Sequence, residues 1–330
     1  GVVVATGFEP QFVLVKPSTT AGPWSLIDNM RGWTADSAGD RWFEADTNGA
    51  EYTSAMMDLT ATGFTTRANF SSTNSNGQTY IYMAIRRPMK TPTSATEVFQ
   101  ALTYAGSGTF PDATDPVSGV ATRTISSSLG FDVDMSMTYW RSGGSAPTTT
   151  ASLMDKLRGI YYELFTYDTA AESQNSNTGP RYSTRVSRAF DLHDYGVEQL
   201  NQNGQALLSY VFSRAPGFMD VVAYSGTGAN PLSVNHNLTV PPELMITKRR
   251  NGAVSWMVGV PSVSLGGFLN TTDALSSTRW STDWSGFSPT STIFKVSDGT
   301  AGSGDNMIAY LFATLAGVSK VGSYTGNAGY

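Results

Sequence analysis

The side chains best suited to catalysis or metal binding are scarce in this chain of 330 residues. It has two histidines, His193 and His236, and no cysteine, which excludes thiolate catalysis, Cys-ligated metals and a disulfide framework. His193, in DLHDYG, has Asp191 and Asp194 beside it, but these three groups would need ligands from elsewhere to hold an ion. His236, in SVNHNLTVPPEL, falls in a turn, where we expect it to hydrogen-bond its own loop.

Serine and carboxylate chemistry are also incompletely represented. A serine hydrolase needs a G-x-S-x-G elbow, and YAGSGTF and TAGSGDN lack that spacing. A glycosidase needs two carboxylates. The candidates are Glu44, Asp46 and Glu51, or Asp273 and Asp283. Because Asp46/Glu51 recurs as Asp168/Glu172, this pair indicates a copied loop brace, and we predict no catalytic residues and no enzyme.

Loops rich in Asp and Gly are the remaining candidates for ion binding. DATDP contains Asp112 and Asp115, and SDGTAGSGDN contains Asp298 and Asp305. These hard oxygen ligands would suit calcium, but neither loop matches an EF-hand, so we expect solvated turns. The Tyr-x-Gly-x-Gly segments resemble pieces of a phosphate-binding loop without the helix that such a loop requires. We therefore predict no metal ligand and no cofactor.

Aromatic rings could contact a sugar or a protein partner. The seven tryptophans are Trp24, Trp33, Trp42, Trp140, Trp256, Trp280 and Trp284. Trp140 and Trp256 lie in strand-like stretches and are predicted to be in the core. Trp280 and Trp284 lie in the polar stretch STRWSTDWSGF, so they are the candidate exposed contacts, for a host glycan or equally for an oligomer partner.

Composition points to an all-β fold. Only 14% of the residues are charged, and runs of Val, Ile, Tyr and Phe alternate with Gly, Pro, Asn and Ser clusters. Only residues 150–165 could pass as a helix, so we predict few or no helices. The basic clusters Arg86/Arg87/Lys90 and Lys248/Arg249/Arg250 are expected to be solvated at strand ends. A net charge of −5 disfavours nucleic acid, and no apolar run is long enough to insert into a membrane.

Three copies of an aromatic strand organise the chain. They read TYIYMAIRRP, ALLSYVFSRAP and NMIAYLFATLAG, and a Tyr-x-Gly sequence follows each, at Tyr104, Tyr224 and Tyr324. Such self-similarity is typical of repeated modules. We predict three tandem β-sandwich or jelly-roll-like modules. Their bounds are 1–98 for module 1, which lacks its first strand, 99–217 for module 2 and 218–314 for module 3, with a further first strand or donated strand at 315–330.

An octet recurs in the first two modules, as SLIDNMRG from Ser25 and SLMDKLRG from Ser152. The third module has WMVGVPSVSLGG in its place, so the octet is not essential to the module. We expect Leu26/Ile27 and Leu153/Met154 to pack into equivalent cores and Gly32 and Gly159 to end the segments in turns. Asp28/Arg31 and Asp155/Arg158 are expected to pair locally.

The final stretch AGVSKVGSYTGNAGY repeats the strand that opens modules 2 and 3, while module 1 shows no such strand. Two interpretations stay open. The chain belongs to a longer array, in which this strand begins a further module, or the strand completes module 1, within the chain or on a neighbouring subunit.

Several of these segments together resemble a known family. GFEPQFVLVK, SLIDNMRG, DTNGAE, TYIYMAIRRP, RAPGFMDVVAYSGTG, SVNHNLTVPPELMITKRR and VGSYTGNAG are similar to a repeated domain of unknown function in tandem-repeat virion proteins of tailed bacteriophages, many from marine phages. The resemblance covers nearly the whole chain and is weakest at about 160–203. That family has no established catalytic residues to transfer.

The resemblance implies a non-enzymatic structural protein of the virion, in a tail, fibre or surface appendage, that forms a homo-oligomer and contacts other virion proteins. Two alternatives stay open. One is an adhesin that binds a host-surface glycan, and the other is a tailspike that degrades polysaccharide.

Overall fold

The chain is all-β, with several antiparallel sheets and one described helix. The structure, a computed structural model, describes residues 1–35, 40–67, 70–109, 112–114, 121–126, 128–144, 151–159, 162–174, 188–193, 200–297 and 301–327, with the backbone alone at 112–114, 121, 122, 174 and 193. The side chains of Asp112, Asp115, His193, Asp194 and Asp298, which carried predictions about metal binding, lie outside the described residues.

The strands are short and are separated by turns rich in Gly, Asn and Ser. They are β1 (Val3–Ala5), β2 (Pro10–Pro17), β3 (Ser25–Asp28), β4 (Arg41–Glu44), β5 (Tyr52–Thr53), β6 (Met57–Thr60), β7 (Gly63–Thr66), β8 (Tyr80–Arg86), β9 (Phe99–Ala105), β10 (Asp112–Thr114), β11 (Ala121–Ser126), β12 (Met135–Ser142), β13 (Ser152–Asp155), β14 (Tyr162–Phe165), β15 (Ser173–Gln174), β16 (Phe190–His193), β17 (Ala206–Phe212), β18 (Met219–Ser225), β19 (Leu232–Asn235), β20 (Leu244–Arg249), β21 (Met257–Val260), β22 (Leu265–Phe268), β23 (Ile293–Val296) and β24 (Asn306–Phe312).

Three larger antiparallel sheets share one order. Sheet I runs β8-β2-β3-β4-β5, sheet II runs β9-β17-β12-β13-β14-β15, and sheet III runs β18-β24-β20-β21-β22. The aromatic strands β17 and β24 each have a further strand, β9 or β18, on their outer side. In sheet I the aromatic strand β8 is the edge, so its outer side has no strand among the described residues.

Three smaller sheets pack near the larger ones in sandwich-like layers. Their orders are β1-β7-β6, β10-β11-β16 and β19-β23. Val234 of β19 and Phe294 of β23 share a buried cluster with Val222 of β18 and Ala309 of β24. A central cluster joins all three larger sheets, because it contains residues such as Ile27, Leu153 and Ile308. This shared core packs the sheets into one body.

The one described α-helix, α1 (Ser277–Asp283), lies in the stretch that we had expected to form a polar loop. Ser276 caps it by accepting a hydrogen bond from the backbone NH of Arg279 at 3.2 Å, as N-cap serines commonly do. The helix-like stretch 150–165 instead holds β13 and β14, which pair with each other. Among the described residues, no helix has the length and apolar character needed to cross a bilayer.

The octets begin as strands β3 and β13, which were not predicted, and end in tight turns at Gly32 and Gly159, which were. Ile27, Leu153 and Met154 are buried, and Leu26 is half-buried. Gly32 and Gly159 have φ angles of 102° and 90°, a left-handed conformation that favours glycine.

Candidate functional site

Strand β8 forms an edge of sheet I that no described strand covers, and it carries several exposed apolar side chains. Ile81, Tyr82, Met83 and Ile85 are 53%, 47%, 50% and 51% exposed. In β24, by contrast, Ile308, Tyr310 and Leu311 are almost fully buried. An unpaired strand edge presents free backbone NH and CO groups, and with apolar side chains beside them it readily pairs with another strand.

Residues 315–327 begin like the connection that leads into β18. The backbone NH of Leu315 donates to the carbonyl of Ser319 at 3.1 Å, as that of Ala215 donates to the carbonyl of Met219 at 3.0 Å. After Met219 the chain forms β18, whereas after Ser319 it forms no strand among the described residues. Tyr324 is 93% exposed.

A buried charge network joins sheets II and III through the second octet. The guanidinium of Arg158, wholly buried, donates to Asp155 at 2.5 Å and to Glu172 at 3.1 Å. Glu172 also accepts from Arg250 at 2.9 Å, and the Tyr310 hydroxyl donates to Asp155 at 2.6 Å. Burial by itself lowers the pKa of Arg158, but Asp155, Tyr310 and Glu172 outweigh it and hold that pKa well above its usual value.

The first octet forms the same pair near the surface. The guanidinium of Arg31 donates to Asp28 at 2.6 Å and to Glu51 at 3.1 Å, yet its side chain is 25% exposed. The predicted local pairs Asp28/Arg31 and Asp155/Arg158 are therefore confirmed.

A second buried network joins the start of sheet I to sheet III. Arg214 binds both carboxylate oxygens of Glu9, at 2.8 and 2.6 Å, and donates to Asp220 at 2.8 Å. Its backbone NH donates to Asp134 at 2.7 Å, and Arg87 donates to the same oxygen at 2.6 Å. Burial raises the pKa of Asp134, but Arg87 above all outweighs it and lowers that pKa to about 2.

The expected exposure of Trp280 and Trp284 is wrong. The two residues are 4% and 0% exposed. Trp280 in α1 and Trp284, the residue that caps the end of α1, lie four positions apart on one face, which packs into the core of sheet III. The indole NH of Trp284 donates to the Val258 carbonyl at 3.2 Å. Neither ring offers a face to a glycan in this arrangement.

Trp140 and Trp256, which were predicted to lie in the core, differ in burial. Trp256 is 0% exposed, and its indole NH donates to the Phe165 carbonyl at 2.8 Å. Trp140 is only half-buried.

The second basic cluster was expected to be solvated, and this is wrong for two of its members. Lys248 is 0% exposed, and its ammonium donates to the carbonyls of Val254 and Thr169 at 2.9 and 3.1 Å. Burial lowers the pKa of Lys248 to about 8. Arg250 is 6% exposed and pairs with Glu172, whereas Arg249 lies nearer the surface and pairs with Asp305.

The first basic cluster also departs from the expectation at one position. The Arg87 side chain is only 17% exposed and pairs with buried Asp134 at 2.6 Å. Lys90, 78% exposed, matches the expectation.

The candidate carboxylates act mainly as loop braces. Asp46 accepts from the backbone NH of Trp24 at 2.8 Å, and Asp168 accepts from that of Ala170 at 2.9 Å. Glu51 and Glu172 pair with octet arginines. Within the described part of the chain, no group of three His, Asp or Glu residues is arranged to hold a metal ion.

A family model for a domain of unknown function (DUF7483) matches residues 1–88 and 95–329. The chain belongs to this family. No curated protein and no solved structure matches it significantly.

His236 of this DUF7483 protein hydrogen-bonds its own loop, as predicted, and also bonds a second loop at Thr290. Its Nδ1 accepts from the backbone NH of Leu238 at 3.2 Å, and its Nε2 donates to the Thr290 carbonyl at 3.1 Å. Burial is the main cause that lowers its pKa. The folded state therefore binds fewer protons than the unfolded state, and stability falls as the pH drops through the unfolded value of about 6.5.

His236→Gln is expected to remove that acid-sensitive part of the stability. At pH 7.5 it should also cost about 1–2 kcal/mol, because the Leu238 NH loses its acceptor. Urea unfolding at pH 7.5 and 5.5 measures both effects. The same pH dependence in wild type and His236→Gln would contradict the assignment.

Asp40 is a buried carboxyl that the sequence did not single out. It is 0% exposed, and its Oδ1 accepts from the Thr34 backbone NH at 3.3 Å. Its Oδ2 has no hydrogen-bond partner among the described residues. Burial raises the pKa of Asp40 to about 8, against a smaller opposing effect of the Thr34 NH.

Asp40→Asn is expected to make the DUF7483 protein more stable at pH 8 than wild type. Between about pH 4 and 8 the folded carboxyl holds a proton that the unfolded one has lost, so wild-type stability falls with rising pH by up to about 1.4 kcal/mol per unit. An asparagine side chain has nearly the same shape as aspartate but does not titrate, so the dependence of stability on pH is lost. Urea midpoints at pH 5, 6.5 and 8 test this, with exposed Asp273→Asn as the control, and an unchanged slope in Asp40→Asn would refute it.

Proposed function

We propose that this chain is a non-enzymatic structural subunit of a tailed-bacteriophage particle, in a tail, fibre or surface appendage, and that it acts through assembly with further copies and other virion proteins. The open edge of β8 carries the proposal, because four large apolar side chains there are each about half exposed on a strand whose outer edge has no partner among the described strands. Strands exposed in this way join subunits by backbone pairing. The sequence resemblance to virion proteins supplies the setting.

We also propose that the chain consists of three tandem copies of one module, at residues 1–98, 99–217 and 218–314. The common order of the larger sheets supports this, since an aromatic strand is followed outward by the same succession of strands in each. The pairs β1-β7, β11-β16 and β19-β23 add a matching small sheet beside each larger one. Repeats of this kind build extended assemblies from nearest-neighbour contacts.

Purified particles of a phage that encodes the chain test the proposed function. Immunogold labelling should place the chain on a tail or surface appendage, and quantitative mass spectrometry should find it in several copies per particle. Its absence from particles that still contain their other tail proteins would refute the proposal.

The two alternatives have separate readouts. The adhesin alternative has lost its candidate rings, because Trp280 and Trp284 are buried. Selective binding on a glycan array would nevertheless favour it over pure assembly. Release of reducing ends from host polysaccharide would favour the tailspike.

A further inference from the structure

We propose that the open edge of β8 pairs with residues 319–325 of a second copy of this chain, which add an antiparallel strand to sheet I. The inference names the partner of the assembly surface and rests on the proposed function only for its biological setting. The arrangement is head to tail, so it leads to open chains or closed rings of subunits.

The described pairing of β9 and β18 shows what such a strand does. β9 follows the aromatic strand β8 along the chain and pairs with the next aromatic strand, β17. β18 likewise follows β17 and pairs with β24. Each of these strands therefore covers the aromatic strand of the following sheet. Residues 319–325 follow β24, and β8 is the aromatic strand that no described strand covers on its outer side.

The backbone before residue 319 is already shaped for this role. The NH groups of Val318 and Ser319 both donate to the Leu315 carbonyl at 2.9 Å. The NH groups of Phe218 and Met219 make the same bonds to Ala215, at 3.1 and 3.2 Å. Ser319 therefore stands where Met219 begins β18.

Among the described residues, neither the outer edge of β8 nor residues 320–325 pair with a strand within a single copy, although the Val321 NH donates to the Thr314 hydroxyl at 3.1 Å. β8 has hydrogen-bonded pairing on the β2 side only, as far as the described strands show. Residues 320–327 form no strand, and Tyr324 is almost fully exposed. In a second copy, residues 319–325 are available to pair with β8 of the first copy.

The register follows from the sheets already formed. Phe212 pairs with Met135 in sheet II, Phe312 pairs with Leu244 in sheet III, and Ile85 pairs with Phe12 in sheet I. Phe212, Phe312 and Ile85 therefore occupy equivalent positions in the three aromatic strands. Met219 pairs with Phe312, and Phe99 pairs with Phe212. Because Ser319 takes the place of Met219, it faces Ile85, and the antiparallel run then brings Val321 opposite Met83 and Tyr324 opposite Tyr80.

This register places matching side chains on both faces. Val321 covers the exposed Met83, while Tyr324 points to the inner side with Phe64 and Tyr82, whose rings lie 5.6 Å apart. In sheet III the equivalent Tyr224 packs 5.8 Å from Phe294. The pairing therefore buries a tyrosine as sheet III does, and it covers the apolar patch on β8.

The hydrogen-bond pattern makes one disulfide especially suitable as a probe. Ser213 donates to Val98 and Gly106 donates to Gln205, both at 2.8 Å, so Phe99 and Phe212 form a non-hydrogen-bonded pair. Ser319 and Ile85 occupy the equivalent position, so they also form a non-hydrogen-bonded pair. Because the two kinds of pair alternate along antiparallel strands, Val321 and Met83, two residues further on, form a non-hydrogen-bonded pair as well. Their Cα atoms would be about 4.5 Å apart, which is within the range that a disulfide spans.

Cross-linking the full 330-residue chain tests the register, and the lack of native cysteine removes background. Chains with Met83→Cys and chains with Val321→Cys, carrying tags of different mass, are mixed and oxidised. We expect a mixed disulfide dimer as the main product. Replacing Met83→Cys with Tyr82→Cys should reduce the yield at least tenfold, because that side chain points to the opposite face. Equal yields from both would overturn the register.

A matched pair of proline variants tests the backbone pairing. The NH of residue 322 points toward β8 in this register, while that of residue 323 points away. Gly322→Pro should therefore abolish concentration-dependent association in light scattering, and Ser323→Pro should preserve it. Neither substitution lies in a described strand, so both should leave the fold intact. Association that survives Gly322→Pro would overturn the proposal.

A chain carrying both Met83→Cys and Val321→Cys identifies the donor. Cross-linked oligomers support donation by a second copy, whereas a cross-linked monomer overturns that part of the proposal. If the chain is present in particles but the mixed dimer never forms, strand addition is wrong while the proposed function stands. If the dimer forms but particles lack the chain, the proposed function fails alone.

Discussion

Replacing Arg158 with alanine is expected to lower the free energy of unfolding by about 3–5 kcal/mol, because it leaves buried Asp155 without a cation and removes one of the two arginines that bind Glu172. The same substitution at Arg31 should cost about 1 kcal/mol or less. The two arginines occupy the same position of the octet and make the same two contacts, at 2.5 and 3.1 Å for Arg158 and at 2.6 and 3.1 Å for Arg31. They differ in burial, since Arg158 is fully buried and the Arg31 side chain is 25% exposed, and Arg158 donates in addition to the Leu153 carbonyl at 2.9 Å.

Urea unfolding of both variants at pH 7 and low salt measures the contrast. Adding salt should reduce the cost at Arg31 and leave the cost at Arg158 largely unchanged, because screening acts on exposed charges. Equal costs at the two positions would show that the octet, rather than its environment, sets the energy.

Arg214→Met is the second substitution with a large expected effect, again about 3–5 kcal/mol. It removes the cation that binds both oxygens of Glu9 and one oxygen of Asp220, and all three residues are buried. Arg214→Lys should restore only part of the loss, because an ammonium cannot form the two parallel bonds that a guanidinium makes with Glu9.

A triple variant separates pairing from packing at this network. Glu9→Gln, Asp220→Asn and Arg214→Met together should recover part of the stability, since no uncompensated charge is left buried. Lys90→Met is the surface control and should leave the unfolding midpoint unchanged, because Lys90 is 78% exposed and lies 3.5 Å from Glu97. A triple variant less stable than Arg214→Met would contradict this account.

Local sequence patterns predicted much of the fold. Runs of Val, Ile, Tyr and Phe gave the all-β class, and the octet spacing gave both arginine pairs because Asp and Arg three residues apart meet across one turn. His236 behaved as a turn residue because its partners lie in its own and an adjacent loop. In the octets and at Leu238 the interacting groups are close in sequence, whereas the Thr290 partner of His236 is 54 residues away and was not predicted.

The features that were not predicted depend on contacts between residues that are far apart in the sequence. Lys248 and Arg250 looked like exposed charges, but their partners Thr169 and Glu172 are 79 and 78 residues away. Trp280 and Trp284 looked exposed because their neighbours are polar, although a spacing of four is also the spacing of one helical face. The open edge of β8 was visible only as a missing strand in the repeat pattern.

The pairing of Met219 with Phe312 and of Phe99 with Phe212 also bears on how genes for such chains can change. The stretch from residue 99 to 212 and the stretch from 219 to 312 each begin and end on neighbouring strands of one sheet. The two ends of each stretch therefore lie about one strand spacing apart. A deletion of the DNA between such ends would leave the flanking chain ends close together, but it would also remove one of the three larger sheets that build the shared core. Gain or loss of such a stretch therefore requires the remaining sheets to repack against each other.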